Sequence, residues 1–120
     1  MVDDVDSYDA IKQAVDEGKG VVTVYAASLR DAEGAGRLTE RINSNISGSL
    51  ANRGLGHVPF EAADLPTSQW AEVRVFDRTS PLGGVIVAAN TGGEDADACL
   101  REAVNGDATS LLDQVRTLLA

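Results

Sequence analysis

Residues 71–90 read AEVRVFDRTSPLGGVIVAAN, and the fold class turns on how this stretch is taken. Val73 and Val75 alternate with Glu72 and Arg74, the period of a strand with one wet face. Ser80-Pro81 and Gly83-Gly84 carry turn chemistry, and Val85 to Ala89 is an unbroken apolar run. The pattern predicts a β-hairpin whose return strand is covered on both faces and lies at the centre of the sheet.

Working outward, residues 7–17 predict a first helix. Asp6 or Ser7 serves as its cap, Tyr8, Ile11, Ala14 and Val15 share one face, and Gly18 stops it. A strand follows over 21–27. Residues 31–53 predict one long helix with the stripe Ala35, Leu38, Ile42, Ile46 and Leu50. Gly34 and Gly36 are poor helix formers, so its regular part alternatively starts near Arg37. Residues 55–70 are irregular, with Val58 and Phe60 as a brief edge pairing. Phe60, Leu65 and Trp70 are too apolar for a freely solvated loop and are candidates to fold back or to meet a partner.

Beyond the hairpin, Thr91 and Glu94 have the spacing of a capping box. A helix to Val104 is expected to bury Ala96, Cys99, Leu100, Ala103 and Val104. Asp107 caps a last helix striped by Leu111, Leu112, Val115, Leu118 and Leu119. The expected fold is a single α/β (α+β) domain over 1–120, a small mixed three-stranded sheet packed by about four helices in the order α-β-α-β-β-α-α.

Composition narrows the function. The 120 residues are 43% hydrophobic and 24% charged, a globular balance. The net charge of -9 argues against a free nucleic-acid-binding domain, which needs a basic face. Lys12 and Lys19 are the only lysines, a bias that suits either a high-salt interior or a GC-rich genome. No apolar run is long enough for a membrane-spanning helix. The opening MVDDVDSYD is acidic where a secretory signal is basic and then apolar, so the expectation is a protein kept in the cytoplasm or in a particle assembled there. Cys99 is the sole cysteine, which excludes an internal disulfide and a thiolate cage, and it is expected to be buried.

Three stretches carry candidate chemistry. Residues 21–41, strand then VYAASLRDAEGAGR then helix, have the outline of a phosphate-binding turn, with Ser28, Gly34 and Gly36 as candidate ligand-binding residues. This outline resembles the first strand, loop and helix of flavodoxin-like proteins, in which serines and threonines cradle a flavin phosphate. Asp31 and Glu33 stand where an anion would sit, and the later elements do not repeat that fold. No flavin or other cofactor is therefore expected. His57, with Glu61 and Asp64 following, is the candidate catalytic base, although a partly exposed loop histidine explains the pattern as well. Asp3, Asp4, Asp6 and Asp9 lack the glycine and terminal glutamate of a calcium loop, so no metal site is expected. Asn45-Ile46-Ser47 matches a glycosylation sequon by chance, because Ile46 lies on the helix stripe.

The expected function is a non-enzymatic structural or assembly subunit of a homo-oligomer or larger particle, such as a viral neck, tail or shell. Its partners are other protein subunits, above all copies of itself. Phe60, Leu65, Trp70, Arg37 and Arg41 are the candidate interface residues. A three-stranded sheet leaves edges that a neighbour can cover. The alternatives are an adaptor that binds another protein, and a small ligand-binding domain or enzyme using the Ser28–Gly36 loop with His57.

Overall fold

Ser80 decides the 71–90 stretch. In the computed structural model, which describes residues 6–104, its hydroxyl accepts the Gly83 N–H at 2.9 Å and donates to the Asp77 carbonyl at 2.7 Å. Pro81 occupies the first helical position, where its fixed φ and missing N–H do no harm. Ser-Pro is thus a helix start rather than a hairpin turn. Residues 81–89 are a helix, and the expected central strand over 85–89 is absent. A short apolar run has no period of its own, so its flanks decide between strand and helix.

The described elements are α1 (Tyr8–Glu17), β1 (Val21–Tyr25), α2 (Ala26–Glu33), α3 (Glu40–Ala51) and β2 (Leu55–Val58), then β3 (Glu72–Asp77), α4 (Pro81–Ala89) and α5 (Glu94–Glu102), with a short 3-10 helix at Ala62–Asp64. The α+β class and the three-stranded sheet stand as expected. The sheet is antiparallel throughout rather than mixed, and its order is β1-β3-β2. β3 takes the central place assigned to 85–89, and the third strand comes from 55–58, read from sequence as irregular.

The expected long helix is two. Gly34 sits at φ 74; its N–H closes onto the Asp31 carbonyl and that of Ala35 onto the Arg30 carbonyl. This left-handed cap needs a residue without a Cβ penalty, and it ends α2. Thr39 restarts the chain as a helix by accepting the Ile42 N–H at 3.1 Å. β1 also ends earlier than predicted, because Ala26 and Ala27 already belong to α2. The first helix forms as read, with the Ser7 hydroxyl accepting the Ala10 N–H at 3.1 Å.

The contacts divide the chain at Gly83 into two compact units, 1–83 and 84–120. In the first, Val24, Val73, Val75 and Leu55 line one sheet face. Ile11 and Val15 of α1, Leu29 of α2, and Ile46 and Leu50 of α3 cover it. All nine are at most 2% exposed, and each full burial contributes about 1.5–3 kcal/mol.

In the second unit the expected capping box does not form. Gly93 precedes α5 without a side-chain cap, and the Thr91 hydroxyl donates back to the Val87 carbonyl at 2.7 Å. Ala96 is buried but Cys99 is exposed, because the buried side of α5 is narrower than the stripe suggested. Asp3, Asp4 and the helix predicted from Asp107 lie outside the described residues.

Candidate functional site

The first unit brings together a serine and a histidine that the sequence keeps apart. On α3, Asn43, Ser47 and Leu50 share a face with Ile46, since residues three and four apart are helical neighbours. On β2, Leu55 and His57 point the same way, toward the core, because strand side chains alternate. Ser47 Oγ lies 2.7 Å from His57 Nε2, and His57 Nδ1 lies 2.6 Å from the Pro59 carbonyl oxygen. A carbonyl only accepts, so Nδ1 carries the ring proton and Nε2 is the free lone pair. Ser47 therefore donates to His57. The ring is 5% exposed and both its nitrogens are partnered.

This placement differs from both expectations, a base oriented by Glu61 or Asp64 and a partly exposed loop histidine. Both carboxylates belong to exposed residues, and neither bonds the ring. The orienting group is a backbone carbonyl, and the hydroxyl comes from a residue the sequence presents only as the end of a sequon. One turn before Ser47, the buried Asn43 donates both amide hydrogens, to the carbonyls of Leu65 at 3.1 Å and Pro66 at 3.2 Å. Ser47 thus pins β2, and Asn43 the chain after it, onto α3.

In the 21–41 stretch the loop expected between strand and helix is absent. Strand runs directly into helix, and the first amides of α2 are already used. Ala26 N–H donates to the Ala71 carbonyl at 2.8 Å and Ala27 N–H to that of Gln69 at 2.9 Å. Ser28 lies in the first turn of α2, whereas Gly34 caps its other end and Gly36 lies beyond it. None of these three joins His57.

A second polar cluster joins α1, α2 and α3. The Tyr8 hydroxyl donates to Glu33 Oε1 at 2.6 Å, and Ser49 donates to the same oxygen at 3.0 Å. The Arg53 guanidinium stacks over the Tyr8 ring, 4.5 Å from its centroid. Burial, helped by the bond to Glu33, pushes the Tyr8 phenol well above its usual pKa.

The remaining interface candidates separate by burial. Leu65 is 6% exposed and belongs to the core, so it is no surface residue. Phe60 is half-buried, and Arg37 and Arg41 are exposed. Trp70 is 66% exposed and meets Tyr25 edge-to-face at 5.6 Å, at the end of β1. Among the described residues no group of three or more metal-ligating side chains occurs, and no helix is long and apolar enough to cross a membrane. Comparison with protein-family models, curated proteins and solved structures finds no match to the chain.

Proposed function

We propose that this chain is a subunit of a homo-oligomeric or larger protein assembly, joined to its neighbours through β1. The observation that supports this reading is the outer edge of that strand, unpaired among the described residues. β1 pairs only with β3 among the described strands. The bonds from Asp77 N–H to Gly20 O and from Ala26 N–H to Ala71 O set the alternation. By that alternation Val22 and Val24 face β3, and the Thr23 N–H and carbonyl face outward.

Soluble proteins guard such an edge with a lysine, a proline or a bulge. VVTVY carries none of these, and it holds no charge in a chain of net charge -9. Antiparallel pairing of two copies about Thr23 sets apolar side chains together and opposes no like charges. The exposed Trp70 beside Tyr25 adds an aromatic anchor of the kind that dominates interfaces. Salt strengthens the association by screening the repulsion between acidic surfaces.

The test is absolute molar mass by light scattering for the natural chain and for Thr23→Pro. Proline at 23 removes an outward N–H and no bond to β3. Assembly through β1 predicts a discrete oligomer for the first and a folded monomer for the second.

A further inference from the structure

We propose that Ser47 is a nucleophile, with His57 as its general base, and that it accepts an acyl group from activated esters. The inference is independent of assembly, because His57 lies on β2, the opposite edge of the sheet from β1. Three observations carry it. The Ser47 hydroxyl donates directly to Nε2 at 2.7 Å, within the reach a base needs. The ring is held by a third group, the Pro59 carbonyl at 2.6 Å, which fixes the proton on Nδ1 and leaves Nε2 basic. Ser47 itself is partly exposed, and its helix neighbours Ser44, Gly48 and Ala51 are short and exposed, with open space over Gly48. Open space beside Ser47 is therefore available to a solvent-borne reagent.

The step balances without any added reactant. Ser47 Oγ attacks the ester carbonyl while its proton passes to His57 Nε2. The Oγ–acyl bond forms, the bond to the leaving oxygen breaks, and the leaving group departs as an anion. The imidazolium then returns its proton to solvent. The amides around Ser47 lie mid-helix and are engaged in α3. Stabilisation of an oxyanion is not built in, so the substrate class is one whose leaving group departs readily, such as an aryl ester.

The probe is p-nitrophenyl acetate, followed by release of p-nitrophenolate and by mapping the acetyl group with mass spectrometry. Helix α3 supplies its own controls, since Ser44 is exposed and Ser49 donates to Glu33 Oε1 rather than to an imidazole. The expected result is acetyl on Ser47 and not on Ser44 or Ser49. The variant His57→Gln keeps a hydrogen-bond acceptor but no base, and it is expected to slow Ser47 acetylation by about a hundredfold or more. Unfolding the natural chain in urea is expected to abolish the preference for Ser47, which tests the site even if His57→Gln misfolds. Equal labelling of the three serines in the folded chain overturns the proposal. So does a preference for Ser47 that survives urea, or Ser47 acetylation at an unchanged rate in folded His57→Gln.

Discussion

Ser47 on α3 and His57 on β2 meet across 2.7 Å, and through this bond the third helix holds the edge strand of the sheet. Replacing Ser47 by alanine leaves a buried imidazole nitrogen without a donor. The expected cost is about 1–3 kcal/mol, the desolvation penalty of an orphaned polar group. Urea denaturation of Ser47→Ala, His57→Ala and the double variant measures the pair. A coupling energy of about 0.5–3 kcal/mol is expected, as for residues in direct contact.

Asn43 works one helical turn earlier. Its two amide hydrogens satisfy the carbonyls of Leu65 and Pro66. Asn43→Ala strands both acceptors and is expected to cost about 1–3 kcal/mol. Asn43→Asp sets a carboxylate against two carbonyl oxygens in a site 3% exposed, so it is expected to be the more damaging change. Thermal melts of the two variants order them, and a higher melting temperature for Asn43→Asp than for Asn43→Ala contradicts the placement.

Gly83 lets α4 start hard against the end of β3. A Cβ built there falls 1.9 Å from the Asp77 carbonyl oxygen, and that oxygen belongs to rigid backbone. Gly83→Ala is expected to destabilise the first unit by about 1–3 kcal/mol, the range of overpacked sites. Were residues 80–84 the hairpin turn that the sequence suggests, the same change would have no such backbone to meet. Denaturant midpoints distinguish the two.

Tyr8 gives the fold an alkaline limit. The folded chain holds the phenol proton more tightly than the unfolded chain, where the ordinary value near 10 applies. Stability linked to Tyr8 is therefore complete below about pH 10 and falls as the pH rises above it. Tyr8→Phe loses the bond to Glu33, about 1 kcal/mol at neutral pH, and also loses this part of the alkaline decline. Stability measured between neutral and alkaline pH for both proteins checks the sign.

The core was legible where pattern and element agree. The faces of α1 and β3, and Ile46 and Leu50 of α3, are buried as their spacing predicts. The 85–89 run misled because five apolar residues suit a strand or a helix equally, and the Ser80 cap that settles the matter is a local hydrogen bond. The long helix misled for the opposite reason, since a stripe continues across a break when Leu38 still packs on the core. The Ser47–His57 pair needed the tertiary fold, but two signals pointed toward it. Asn43 and Ser47 interrupt the apolar face of Ile46 and Leu50, and His57 follows Leu55 at strand spacing. A polar residue on a buried face needs a partner.

The most direct test of assembly through β1 is the light-scattering mass of the natural chain at about 0.1 M and about 2 M KCl, which differ strongly in screening, beside that of Thr23→Pro with its fold checked by circular dichroism. The expected result is a discrete oligomer that sharpens at high salt and a folded monomer for the variant. A monomer for the natural chain at both salts contradicts self-assembly, and an oligomer unchanged by Thr23→Pro contradicts the role of β1.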